Sequence, residues 1–407
     1  QGFVNYTIFS FWDTYRGLMP FYTIVNRERS ANMMASMLAH YEQSVHKILP
    51  IWSHMANENF CMIGYHGVSV LADAIAKGVK VDKEKALKAM ISSSSQPYIV
   101  CIGDYMANGY VTDECNPASA SITLEYSYDD WCVYRTALSM GRQDVADKYL
   151  QRAHYYQNVF DKELGFVRPR KADGSFRENF NLLETHDMGF IEGNSWNYSF
   201  YVPQDVHSLI EIMGGDKSFV RKLDSLFTMH LPDEFFEHTE DVTREGIMGN
   251  YVHGNEPSHH IPYLYAWTSE PWKTQYWVRE VMNRMYKNNI EGLSGNDDCG
   301  QMSAWYLFTA MGFYPVCPGT DQYVLGAPYL PYMQINLENG KKFAVRAPKV
   351  SDTNRYVQSV TLNGQPLKRA YITQDEIMAG GELNFVMGPK PNKKRVYTAE
   401  EQPYSLN

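Results

Sequence analysis

Residues 295–328, GNDDCGQMSAWYLFTAMGFYPVCPGTDQYVLGAP, hold the change of pattern on which the fold turns. Two adjacent acids, Asp297 and Asp298, sit in a glycine-rich turn ahead of apolar residues at helical spacing, so a helix is expected over 299–312, stopped by Gly312. Beyond Pro315 the period falls to two. Strands are expected at 322–325, 333–337, 342–346, 357–362 and 382–386, with hairpin signals at Glu338-Asn339-Gly340 and Asn363-Gly364. Upstream of the turn, spacing of three and four predicts helices over 30–49, 64–78, 82–95, 129–140, 143–161, 204–213, 216–229, 257–267 and 271–288. Helix pairs joined by short turns and by long, motif-rich loops suit a toroid of helical hairpins better than a slim bundle, with the chemistry on the loops of one rim. The expectation is a mainly α region over 1–315 followed by a small antiparallel β appendage over 316–407, acting as a structural cap.

Composition narrows the function. The chain has 407 residues and a net charge of -9, which argues against a phosphate-tracking surface and hence against nucleic acid. No stretch approaches the roughly 18–20 apolar residues that span a bilayer, so no membrane span is expected. The opening QGFVNYTIFSFW lacks a basic segment and a small-residue cleavage site, so no signal peptide is read from it. Six cysteines without a CxxC pair give neither a disulfide scaffold nor a zinc motif, and they leave the redox compartment open. The unusual figure is an aromatic content of 14%, with 30 Tyr, which serves either a core or a carbohydrate site where rings stack on sugar faces.

Five polar and aromatic islands interrupt the helical pattern. In FWDTYR (11–16), Asp13 and Arg16 flank aromatic rings, a set that can hold vicinal hydroxyls or form a buried ion pair beside the core. YSYDDW (126–131) reads as the N-terminal cap of the helix expected from 129. In EGNSWNYS (192–199), Glu192 precedes a glycine and aromatic neighbours able to desolvate a carboxyl and raise its pKa, as a general acid requires. HGNEPSHH (253–260) has adjacent histidines, but zinc is disfavoured: HExxH is missing, and consecutive helical residues point about 100° apart. Asn255 and Glu256 offer hard oxygens better suited to calcium. The acidic turn at 297–298 serves equally as an N-cap, a calcium loop or a general base, without EF-hand spacing. Together the islands supply carboxylates on separate loops among aromatics, the requirement of a glycosidase. A GxSxG nucleophile elbow and a phosphate-binding glycine loop are both missing.

Taken in order, FWDTYR, YSYDDW, EGNSWNYSFYVPQD, GNEPSHHIPYLY and the stretch from Gly295 to Pro328 resemble glycoside hydrolase family 92, calcium-dependent exo-acting α-mannosidases, in register from about residue 9 to residue 330. The resemblance implies an (α/α)6 toroid, a Ca2+ ion on the 2- and 3-hydroxyls of a terminal mannose, and single displacement with inversion. It implies Glu192 as general acid and Asp298 as general base, with Asp297 beside it. Trp12, Asp13 and Arg16 would hold sugar, joined by Trp196, Asn255, Glu256 and His259. Glu256, Asn197 and Gln301 would face the metal. Some family members have His at position 255 or an acid at 296, which leaves the linkage open, whereas Glu rather than Gln at 192 favours an ordinary mannoside over a mannosyl phosphodiester. The family also carries an N-terminal β-sandwich and first barrel helices before the WDTYR motif. The resemblance therefore implies a C-terminal catalytic portion, an incomplete toroid and a separate β-sandwich fragment as partner, in a periplasmic or cell-surface location. The competing readings are a glycan-binding protein without turnover and an (α/α)6 glucosidase-type hydrolase.

Overall fold

The computed structural model describes residues 2–55, 57–232 and 246–406. Its α-helices are α1 Phe11–Thr14, α2 Leu18–Val25, α3 Arg27–Gln43, α4 Gly67–Ala76, α5 Lys83–Ser93, α6 Ile102–Asn108, α7 Ser119–Ser139, α8 Gln143–Ala153, α9 Ser195–Tyr198, α10 Val206–Ile212, α11 Asp216–Thr228, α12 Trp272–Met285, α13 Gln301–Met311 and α14 Gln374–Met378. Several begin where a short polar side chain satisfies a free backbone N–H: Asn26 accepts from Arg29, Asp82 from Lys85 and Asp205 from Ser208. Sequential helices pack as neighbours, α7 lying along α8 and also against α4 and α5.

Four expected helices differ. The one drawn over 143–161 ends at Ala153 and is followed by a 3-10 segment, Tyr155–Val159, and by Phe160–Asp161, which pairs as a strand with Phe166–Val167. The helix drawn over 30–49 stops at Gln43, because Ser44 is extended. The chain then turns Ile48 and Leu49 inward ahead of Pro50, and the Leu49 amide donates to Ser93 Oγ at 2.8 Å. Residues 257–267 form two 3-10 segments, Glu256–Ser258 and Ile261–Trp267, because Pro262 would stand inside a continuous helix, where it lacks the N–H and its ring clashes with the preceding turn; each segment instead carries its proline in the first turn, where no donor is lost. The largest correction concerns 129–140. Helix α7 starts ten residues earlier, so YSYDDW lies mid-helix and Asp129 and Asp130 cap nothing.

Beyond α13, the strands at 322–325, 332–336, 342–346, 356–362 and 381–388 lie close to their expected places. Residues 313–314, 322–325 and 371–373 make one small antiparallel sheet. A five-stranded sheet carries the rest. It is mixed rather than antiparallel, because strand 342–346 pairs parallel with 381–388, with Phe343 opposite Gly381. The intervening chain, which carries the hairpin at Asn363-Gly364 and helix α14, supplies the crossover that parallel pairing needs. The C-terminal segment returns to the helices: Trp267 Nε1 donates to the Pro403 carbonyl at 3.0 Å and Trp131 Nε1 to Tyr404 Oη at 3.1 Å. Cys101 and Cys115 form a disulfide around α6, a pairing the spacing did not announce.

Helix α7 is buried along nearly its whole length, acids included. Glu125 and Asp129, one turn apart, grip the two nitrogens of His66 at 3.0 and 2.9 Å. The His66 ring also stacks on Tyr15, centroids 4.3 Å apart. Asp130 accepts from Arg152 Nε at 2.7 Å and from Tyr65 Oη at 2.8 Å. Buried carboxylates are therefore matched by buried cations, the condition for keeping charge in a core. Burial alone would lower the His66 pKa, but the two carboxylates outweigh it and raise it to about 9. A group raised in this way contributes stability that is complete below its ordinary pKa of about 6.5 and lost as pH climbs through about 9. The melting temperature should thus fall by several degrees between those two pH values, and His66→Gln should start lower and flatten that slope. An unchanged slope in the variant would show that His66 does not carry the charge.

Candidate active site

Three loops bring their carboxylates to one point. Asp13 comes from α1, a four-residue helix too short to hold itself. Ser10 Oγ donates to its Oδ2 at 2.5 Å, and Arg16 Nε donates to the Trp12 carbonyl at 2.8 Å. Glu256 opens the 3-10 segment, where Asn255 Oδ1 accepts the Glu256 N–H at 3.1 Å and Asn255 Nδ2 donates to the Glu192 carbonyl at 2.8 Å. Asp298 sits in the acidic turn, where Asp298 and Cys299 have φ of 46° and 57°, a left-handed conformation that costs energy for residues with a Cβ. Asp297 holds that strained turn: its Oδ1 accepts from the Ser303 N–H and Oγ, both at 2.9 Å. Ligand oxygens of Asp13, Glu256 and Asp298 all lie within 4.8 Å of one another.

Asp13 and Glu256 are buried, and Asp298 is half-buried. Burial, reinforced by the charges of Asp298 and Glu192, lifts Asp13 to about 7 against the opposing pull of Ser10 and Arg16. Burial and the Asp13 and Asp298 charges likewise push Glu256 well above its ordinary range. Glu256 Oε1 has no hydrogen-bond partner although it is buried. Such a set fits a hard cation, which would neutralise the mutual repulsion and satisfy the orphaned oxygen. Among the described residues this acidic trio is the one grouping that could hold a metal. The neighbouring histidines are committed elsewhere. Burial lowers His259 to about 3 and His260 to about 4, and both donate to carbonyls, of His253 at 3.1 Å and of Phe200 at 2.8 Å.

The remaining residues of the motifs divide into two groups. Arg16 is buried at the site's edge, its guanidinium over the Trp12, Tyr15 and Tyr201 rings. Glu192 belongs to the same electrostatic centre, since its charge acts on Asp13, but it is exposed and at φ 48°. Trp12 is buried, with its indole N–H on Glu125 at 3.1 Å, and the half-buried Trp196 packs on Phe166, centroids 4.5 Å apart.

Asn197 and Gln301 are both held by hydrogen bonds to neighbouring segments. Asn197 closes a capping box with Asn194 and donates to the Asn250 carbonyl. Gln301 Oε1 accepts the Leu18 N–H at 3.0 Å, and its Nε2 donates to His259 Nδ1 at 3.1 Å. Each carboxamide oxygen thus accepts one hydrogen bond within the protein and keeps a second lone pair. The sequence reading missed Glu125 and His66. The available signal was the Glu125–Asp129 spacing of four, which places both on one helix face once α7 is given its full length. Beside the acidic turn opens a cleft of about 960 Å³ lined by Asn296, Asp297 and the half-buried rings of Tyr306 and Tyr329, among others.

Comparison with known proteins places the chain in a family. The profile of the glycosyl hydrolase family 92 catalytic domain matches residues 1–389. A family GH92 α-mannosidase from Bacteroides thetaiotaomicron, solved with mannoimidazole, is 43% identical with a TM-score of 0.95, over 100% of this chain and 54% of that one. A family GH92 inverting mannosidase from Bacteroides thetaiotaomicron VPI-5482 is 38% identical with a TM-score of 0.89, over 98% of this chain and 56% of that one. Among curated proteins, an uncharacterized secreted glycosidase of Arthroderma benhamiae is 28% identical over 310 residues, 70% of this chain and 37% of that protein. The chain thus spans about half the length of the solved relatives. The match of the family profile over residues 1–389 establishes that the chain belongs to glycosyl hydrolase family 92.

Proposed function

We propose that this chain carries the catalytic centre of an exo-acting α-mannosidase that releases terminal mannose by calcium-dependent, inverting hydrolysis. The observation that carries the reading is the convergence of Asp13, Glu256 and Asp298, three hard-oxygen donors on three loops, beside the exposed Glu192. In this reading the helices of 1–315 belong to an (α/α)6 toroid and 316–407 form its β-rich cap, supported by the sequential packing of the helices and the change to strands after α13.

Asp13 and Glu256, buried and short of counter-charge, would hold the calcium ion, with the third carboxylate, Asp298, at its edge. Calcium bound there supplies a Lewis acid for vicinal sugar hydroxyls. Arg16 and Asp13 orient the sugar. In this reading Glu192 delivers a proton to the departing oxygen, and the half-buried Asp298 takes one from the attacking water. Inversion requires the carboxyls of acid and base to stand roughly 6.5–9.5 Å apart so that water fits between them. The cleft beside the acidic turn leaves room for the rest of a glycan chain. An exported location is supported by the Cys101–Cys115 disulfide and by the secreted relative. Among the described residues no helix is long and apolar enough to cross a membrane.

Incubation with α-linked mannobioses should release mannose. A calcium chelator should abolish that release and added calcium should restore it; a folded sample that releases none contradicts the reading. Removing the acid should discriminate between leaving groups. Glu192→Gln is expected to lower kcat/KM on mannobiose by about 10²-fold or more, within the range of general acid catalysis. An aryl mannoside with an activated leaving group should lose far less. Equal losses on both substrates would remove Glu192 from the acid's role.

A further inference from the structure

We infer that Glu125 is a positioning residue: by accepting the Trp12 indole N–H it fixes α1 and thereby aims the Asp13 carboxylate. For its kinetic arm the inference rests on the hydrolase reading above.

A four-residue helix has no stability of its own, so its orientation must be imposed from outside. The Trp12 indole nitrogen lies 3.1 Å from both oxygens of Glu125, and Arg16 Nη2 lies 3.8 Å from Oε1. Two residues of the FWDTYR segment, on either side of Asp13, therefore converge on one carboxylate supplied 113 positions later by another helix. That carboxylate is immobile. It is fully buried within α7, and its Oε2 is 3.0 Å from His66 Nε2, whose other nitrogen is 2.9 Å from Asp129. The same His66 ring stacks on Tyr15, so α1 is braced from two directions by a single buried charge cluster. Arg16 Nη2 has no hydrogen-bond partner although it is buried, which leaves Glu125 as its nearby counter-charge. Because the Trp12 bond sits one residue from Asp13, a small rotation of α1 displaces the carboxylate that must meet Glu256 and Asp298.

The test combines proton exchange with kinetics. In the wild-type chain the Trp12 indole N–H, assigned by its absence from Trp12→Phe, should exchange slowly with solvent. In Glu125→Gln it should exchange about tenfold faster, the worth of one lost charge-assisted bond, while the chain remains folded. On an α-mannoside, Glu125→Gln should lower kcat/KM by about 10- to 100-fold, the usual effect of a group that orients a ligating residue. Glu125→Gln combined with Trp12→Phe should be no worse than the more damaging single change, because both break one link. As a control, Val360→Ala in the five-stranded sheet should lower the melting temperature without touching kcat/KM. Should Glu125→Gln fail to fold, Trp12→Phe removes the donor while leaving the charge cluster intact and should show the same kinetic loss. A freely exchanging Trp12 N–H in the wild type, exchange unchanged by Glu125→Gln, or multiplicative losses would each overturn the inference. If the wild type hydrolyses nothing, the hydrolase reading falls and the indole exchange alone decides whether Glu125 holds α1.

Discussion

Three carboxylates sharing one pocket is the constraint on which the rest of this structure depends. Were they ionised together, two like charges 4 Å apart would repel by roughly 4 kcal/mol even at an effective dielectric of 20, and the Asp13, Glu256 and Asp298 oxygens sit within 4.8 Å of one another; burial and that repulsion are why Asp13 and Glu256 hold their protons to higher pH. Nothing local compensates in full. Asp13 receives one hydroxyl and the field of Arg16, whereas one Glu256 oxygen receives nothing. Such an arrangement persists only if the surrounding fold over-determines it, and the surroundings do so in three ways. A left-handed turn at Asp298 is locked by Asp297 and Ser303. The entry to the 3-10 segment is held by Asn255. A four-residue helix is tied to α7, which is buried along most of its length.

Where the pocket is short of positive charge, the layer beneath it is balanced. Glu125, Asp129 and Asp130 face Arg16, His66 and Arg152 at full burial, and each carboxylate accepts several donors. Burying ions costs more than it returns unless they are paired in this way, so the balanced layer can serve as a rigid base while the unbalanced pocket above it stays ready for a ligand. The histidine-rich stretch fits this division. His253, His259 and His260 are neutral, committed to internal bonds, and act as packing around the acids.

Much of this was legible in the sequence because the residues concerned occur in compact motifs. Asp13, Glu256 and Asp298 each stand in a short run with aromatic, glycine or proline neighbours, and the change at Pro315 from period three and four to period two marks where the strands begin. What was not legible has physical causes. Asn197 and Gln301 have the oxygens of metal ligands, but an amide can also cap and donate, and only the fold shows that both do so. Helix α7 has no polar face to give it a period, so the half that contains Glu125 looked like a connector and Asp129 looked like a cap. The exposure of Glu192 depends on what lies over it in space, which its aromatic sequence neighbours do not reveal. The parallel strand pair arises because residues between 346 and 381 fold into a crossover, a non-local event invisible to hairpin signals.

The acidic trio carries the central claim, that this site is built to take a hard cation. The most direct measurement is calorimetric titration of calcium into the metal-free chain, alongside Asp13→Asn and Glu256→Gln. The account predicts one saturable site in the wild type that both substitutions weaken severely while the proteins remain folded. Absence of a saturable site, or calcium affinity unchanged in both variants, would contradict it.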